Sequence, residues 1–253
     1  MKFFAVLGLS AALITGCGGP STSVSPSAST SASPSASPSG SSSDCAAVQQ
    51  DWAAGGISSD WSGANLINCD LSGASLGEGK FVGADLSGAD LSGANLFVAD
   101  LSNANLTGAN LTGALANSLL ANGANLTDAN LTGADLESAD FIGANLTRAD
   151  LSGTNLPYAD FSDATMTDAN LMGLDLGAVS FSGADLVGAN LDGAKGFDTN
   201  FAAANLTNAN LNGATFNFVN LFGANLANAN LANVTYCQVT MPDGTVNNDN
   251  CTP

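Results

Sequence analysis

The chain has 253 residues, with 22 acidic side chains against four basic ones, no histidine and a formal charge of −18. So few cations cannot neutralise a phosphate backbone, which excludes nucleic acid as a partner, and without histidine the commonest general base and metal ligand is missing. A charged fraction of 10% beside 45% hydrophobic residues and 29 glycines excludes a long acidic disordered chain; an ordinary globular domain would carry about a quarter charged residues.

Residues 1–16 place Lys2 before an apolar run from Phe3 to Ile14. That run is too short for a bilayer core, which takes about 20 residues, and it has the pattern of a signal peptide. Its end, Ile14-Thr15-Gly16-Cys17, resembles the bacterial lipobox. The resemblance implies lipidation of Cys17 and an exported, membrane-anchored lipoprotein at the cell surface or in the periplasm. Behind Cys17, residues 17–43 are almost wholly Ser, Pro, Ala, Thr and Gly. Such a composition cannot bury a core and predicts a disordered tether of roughly 30 Å end to end. Residues 44–60 predict an N-terminal cap: a short helix over Asp44–Ala54, with Ser43 as N-cap and Gly55-Gly56 as the stop. Trp52 and Ile57 are its candidate apolar plugs.

From Trp61 to Tyr236 the chain repeats every five residues, as in Ala64-Asn65-Leu66, Ala84-Asp85-Leu86 and Ala104-Asn105-Leu106. Centres fall at positions ending in 1 or 6, nearly always Leu or Phe, with Ala usually two residues before. A fixed short period marks a solenoid whose units bury their apolar positions only against one another. A longer period lies above the short one. The aromatic centres Trp61, Phe81, Phe141, Phe161, Phe181 and Phe201 are separated by multiples of twenty. Asp60, Asp128 and Asp175 each lie twenty before the basic residues Lys80, Arg148 and Lys195, and Asp100 and Asp168 lie twenty after two of them. Residues twenty apart therefore stack, and four pentads close one turn of a square coil.

The Ala-Asp/Asn-Leu-x-x pattern resembles the pentapeptide repeat family. The resemblance implies an all-β fold, a right-handed quadrilateral β-helix of about nine coils with small end caps. At a strand spacing of about 4.8 Å these coils make a rod roughly 43 Å tall. Departures at Leu115–Ala121 and Lys195-Gly196-Phe197 predict bulges or altered packing. Residues 237–253 predict a capping hairpin, since Pro242-Asp243-Gly244 is a turn signal. Once Cys17 is lipidated, Cys45, Cys69, Cys237 and Cys251 remain, two at each end of the rod. A disulfide needs Cα atoms within about 7 Å, so the expected pairs are Cys45–Cys69 and Cys237–Cys251, on the oxidising side of a membrane.

No catalytic constellation, cofactor site or metal site is expected: no histidine activates the many hydroxyls, and the basic residues have Asp stacking partners. The stacked carboxylates Asp70/Asp90 and Asp140/Asp160 are the nearest approach to a cation site. The glycine column from Gly73 to Gly213 and the threonine column Thr107, Thr127, Thr147, Thr167 and Thr207 predict two flat, polar sides, the second a candidate lattice-binding surface. The outward positions of the other two sides hold Phe97, Ile142, Tyr158, Phe197, Phe218 and Phe222. Exposed aromatics gathered on one side mark a candidate interaction face. The expected function is a non-enzymatic interaction or structural module of the cell envelope. It is held to the membrane by its lipid and contacts a protein partner or a second copy through that face. The family resemblance implies an alternative, mimicry of DNA and binding of gyrase, which the net charge suits and the export signal opposes.

Overall fold

The computed structural model describes residues 42–53, 55, 60–249 and 251. The signal segment 1–16, the lipidation candidate Cys17, the tether as far as residue 41 and the plug candidate Ile57 lie outside the described residues.

Each pentad builds one side and one corner of a square. The corner is a tight turn in which the N–H of one residue reaches back three residues, as from Ala64 to the Trp61 carbonyl (3.0 Å) and from Ala74 to Leu71 (3.1 Å). The second corner residue always has positive φ, the type II arrangement. The side is a single extended residue, the Asp/Asn before each centre, which bridges in parallel to the residue twenty positions on: Asn65 to Asp85, Asp85 to Asn105, Asn105 to Asn125. Centres and the residues two before them face inward and are almost completely buried. The result is a right-handed quadrilateral β-helix.

The repeat's polar letter has its own physical cause. An Asp or Asn Oδ1 accepts the N–H two residues ahead, closing the entry to the corner, as in Ser72 N–H to Asp70 (3.1 Å) and Ser102 N–H to Asp100 (3.0 Å). At most places where Asn lies above Asp or Asn, its amide also donates to the coil below: Asn105 to Asp85 (3.0 Å), Asn170 to Asp150 (2.9 Å), Asn230 to Asn210 (3.0 Å). Aspartate cannot donate in this way, so mixing the two residues supplies a ladder that a pure Asp column would lack. Inside, Phe141, Phe161, Phe181 and Phe201 stack face to face with centroids 4.9, 5.3 and 4.9 Å apart.

The segment from Leu115 to Ala121 does not bulge. Leu115 and Leu120 occupy the side position, bridging Asn95 to Asp135 and Asp100 to Asp140 without a shift of register. Ala121 stands in the phenylalanine column, and the volume it leaves is matched by Leu119 in the neighbouring alanine slot; both are fully buried. Large and small residues have exchanged places, so the coil keeps its path.

Residues 195–197 do depart. Here β1 (Lys195–Phe197), β2 (Thr215–Asn217) and β3 (Thr235–Cys237) form a three-stranded parallel sheet, with Lys195 opposite Thr215 and Phe216 opposite Tyr236. The alanine slot after each strand holds a β-branched residue, Thr199, Val219 or Val239, and this corner opens into extended backbone. Gly196 sits at a centre, and the space its missing side chain leaves is taken by Val219, Thr199 and Phe216, whose atoms lie 2.8–3.1 Å from where a Cβ would be.

Helix α1 spans Ser42–Ala53. It begins two residues earlier than expected, so Ser43 lies within the helix instead of capping it, and Ser42 and Ser43 leave the tether. Asp44 lies in the first turn, where a carboxylate suits the helix dipole, and its Oδ2 accepts the Asn65 N–H (3.1 Å). At the other end Gly55, with φ of 76°, donates its N–H to the Trp52 carbonyl. Val48 is the buried plug, with Cys45 and Trp52 packed partly buried beside it. Gln49 donates to the Asp70 carbonyl (2.7 Å), replacing a missing lower coil. At the far end β4 (Val239–Thr240) pairs antiparallel with β5 (Val246–Asn247) around the Pro242-Asp243-Gly244 turn. Disulfides join Cys45 to Cys69 and Cys237 to Cys251, with Cα separations of 5.7 and 4.7 Å.

Candidate interaction corner

The glycine and threonine columns lie on corners, not on sides as their spacing suggested, because the outward side position is the Asp/Asn. Along three corners the positive-φ residue is almost always Gly, Asn or Asp, Gly113 and Asn103 being typical. The fourth corner differs. Its positive-φ residues are Glu78, Val98, Ser118, Ser138, Tyr158, Ala178, Asp198, Phe218 and Gln238, all with φ between 52 and 63°. For a residue with a Cβ this conformation costs about 1–2 kcal/mol, and bulky side chains are the rarest there. Not one glycine relieves it. Strain retained along a whole edge, where a glycine would remove it, points to a use for the side chains.

With the residues just before them, Phe97 and Phe197 among these, they put several apolar side chains outward. Phe97, Val98, Tyr158, Phe197 and Phe218 are all exposed, Tyr158 to 66%. Phe197 and Phe218 meet edge to face at 5.6 Å. Leu115 and Leu120, also exposed, flank this corner one coil above Phe97 and Val98. The expected face did not include Val98, Leu115 and Leu120, because the Leu115–Ala121 stretch stood apart as a departure from the repeat; stacking it on residues 95–101 at a period of twenty shows the patch.

Two residues of the expected face stand elsewhere. Ile142 and Phe222 lie on the next corner, across the side that carries Asp60, Lys80, Asp100 and Leu120. The six residues thus border one side from both edges and do not form one stripe. Phe222 also packs on the Gly244 turn, at 3.5 Å from where a Cβ there would lie.

The charged columns are structural. Arg148 grips Asp128 one coil below through Nε (2.6 Å) and Nη2 (2.5 Å), and among the described residues this is the one ion pair. The guanidinium holds the Asp128 carboxyl below its usual range, and Asp128 in turn raises Arg148. The Ser72 hydroxyl and N–H lower Asp70 in the same way. Lys80 bridges in register with Asp60 and Asp100, as Lys195 does with Asp175. Among the described residues no group of three or more Cys, Asp or Glu could hold a metal ion. The hydroxyls of Thr107, Thr127, Thr147 and Thr207 each donate to the Asn two residues before (2.6–2.7 Å). Val187 interrupts their column.

A four-sided solenoid of five-residue units, capped at both ends and bearing one corner of side chains, defines the class. The chain belongs to the pentapeptide repeat family: the model described as pentapeptide repeats matches in 8 copies across residues 57–115 and 122–235. The gap, 116–121, is the stretch where large and small core residues have changed places. No curated protein matches the chain. Among solved structures it is similar to HetL, a pentapeptide repeat protein involved in heterocyst differentiation regulation in Nostoc sp. strain PCC 7120. That match has 29% identity over 79% of this chain and 98% of the other, at a TM-score of 0.44. It is also similar to QnrB1, a plasmid-mediated fluoroquinolone resistance protein, at 18% identity over 71% and 90% of the two chains and a TM-score of 0.43. A thylakoid lumen pentapeptide repeat protein from Arabidopsis thaliana shares 38% identity over 43% and 66%, with a TM-score of 0.21.

Proposed function

We propose that this protein is a non-enzymatic interaction module of the cell envelope, tethered to a membrane through lipidated Cys17 and docking a protein partner along the fourth corner. One observation carries the docking: nine successive left-handed positions bear side chains, Tyr158 and Phe218 among them exposed and aromatic, where the other corners almost always use Gly, Asn or Asp. Aromatic side chains gain most when a partner shields them from water. The envelope location rests on the lipobox-like end of the apolar leader, and the two disulfides suit an oxidising compartment. DNA mimicry is the weaker reading, because Thr199 to Met241 carries no charge, whereas a mimic needs carboxylates along its whole length.

Two measurements test the proposal separately. Palmitate should label the wild type and not Cys17→Ala; equal labelling removes the anchor. Crosslinking in intact cells should give adducts that disappear in a Phe97→Ser, Phe197→Ser, Phe218→Ser variant of unchanged melting temperature. Adducts that persist in that variant remove the corner.

A further inference from the structure

The fourth corner is not continuous. At Gly177-Ala178 its side chains nearly vanish, leaving a notch of about 420 Å³ between Tyr158 one coil below and Phe197 one coil above. Asp175 and Asp198 also line it. Both aromatic walls are more than half exposed. The notch therefore combines two ring faces with two carboxylates and has no cation among its lining residues.

Resting on the docking role proposed above, we propose that this notch receives an arginine side chain from a basic segment of a partner polypeptide. A guanidinium is flat and weakly hydrated, stacks on aromatic faces and forks onto carboxylates. Lysine, a compact and strongly hydrated charge, uses the carboxylates but gains less from the walls. A second copy of this chain is the wrong occupant. The chain carries −18 overall, and its one arginine already holds Asp128. The corner's surroundings agree in sign: Asp135 and Glu137 stand two coils below Asp175 and Gly177, along the same two columns. Lys195 is the single opposing charge. It lines a smaller hollow beyond Phe197, shared with Asp175, and makes no ion pair within 4.0 Å among the described residues, so it competes for Asp175 without closing the notch.

The test is calorimetric titration of the purified protein with tetra-arginine, with tetra-lysine as the equal-charge comparison. Tetra-arginine should bind the wild type at least about threefold more tightly than tetra-lysine, the size of a cation–π difference. Tyr158→Ser should remove that preference, and Asp175→Asn with Asp198→Asn should weaken both peptides about tenfold or more. Lys195→Gln should tighten both. As control, Asp70→Asn with Asp90→Asn removes two charges from a different side and should leave the affinities nearly unchanged. Equal losses in control and notch variants mean diffuse charge attraction and overturn the proposal, as does equal binding of the two peptides by the wild type or no binding at low salt. Loss of peptide binding together with intact, corner-dependent crosslinks in cells would overturn the arginine site alone and leave the docking corner standing.

Discussion

Ser118 and Ser138 occupy left-handed positions on the fourth corner with φ of 56 and 57°, and neither side chain is buried. Replacing both with glycine tests whether that corner is strained. Removing a Cβ from this conformation recovers about 1–2 kcal/mol, while glycine's greater freedom in the unfolded chain returns about 0.5–1 kcal/mol. The two together should stabilise the coil by about 1–2 kcal/mol. For a folded body of about 200 residues that is a rise in melting temperature of about 2–8 °C. The mirror experiment is Gly113→Ala, where φ is 64° and an added Cβ meets nothing within 4 Å. Only the backbone term is left there, so the variant should lose about 1 kcal/mol. Thermal melts followed by circular dichroism read both. A double glycine variant that melts at or below the wild type, or a neutral Gly113→Ala, would show that this corner carries no strain and would remove the premise of the docking proposal.

Leu119→Ala should cost about 2–5 kcal/mol as a core truncation, and adding Ala121→Leu should recover more than half of it in denaturant melts; additive losses would mean the two slots are independent. Cys251→Ser opens a loop worth about 3 kcal/mol in the chain-entropy model, and in a solenoid the effect should stay local. Hydrogen exchange should rise from about residue 221 onward and remain unchanged near residues 81–180; uniform loss of protection would contradict this. Asp128 and Asp70 have carboxyl pKa values depressed in the folded state, so their contribution is present above the unfolded value of about 3.9 and is lost as pH falls through the folded value. Carboxyl NMR titration should place both midpoints below the ordinary range, Arg148→Gln should return Asp128 to it, and Ser72→Ala should raise Asp70 part of the way, since the residue 72 N–H still donates. Unmoved midpoints in those variants would refute the assigned causes.

Much of this architecture was legible in the residues themselves. The stacking of Asp128 beneath Arg148 and the aromatic centres spaced by twenty point to four sides before any coordinates, because a solenoid repeats its environment at the period of its coil. What the pattern hid was which positions are corners. The columns at Gly113 and Thr107 read as flat sides, yet the tight turn falls after each centre and leaves the Asp/Asn as the side residue. The same oversight joined Ile142 and Phe222 to Tyr158, although a different corner carries them. Leu119 and Ala121 misled for another reason: a residue-by-residue pattern registers a broken letter, whereas packing responds to summed volume.

The division between inside and corner also explains how such a uniform chain can carry a specific surface. Centres and alanine slots are fixed by packing, and the side residues are fixed by their bonds to the next corner's N–H, as Asp100 is by Ser102. Only the corner pair is free, and within it the second residue is held to positive φ. On three corners that constraint is met at lowest cost by Gly, Asn or Asp at nearly every position, Arg148 and Ala203 excepted, which leaves little to recognise. On the fourth the chain keeps Val98, Tyr158 and Phe218 at the same backbone angle and opens a gap at Ala178 between two of its exposed rings. A surface built this way can change its contacts by substitution without disturbing the core, since no corner side chain enters it. Its specificity resides in the order of corner residues along one edge, and that order is the feature a binding partner has to match.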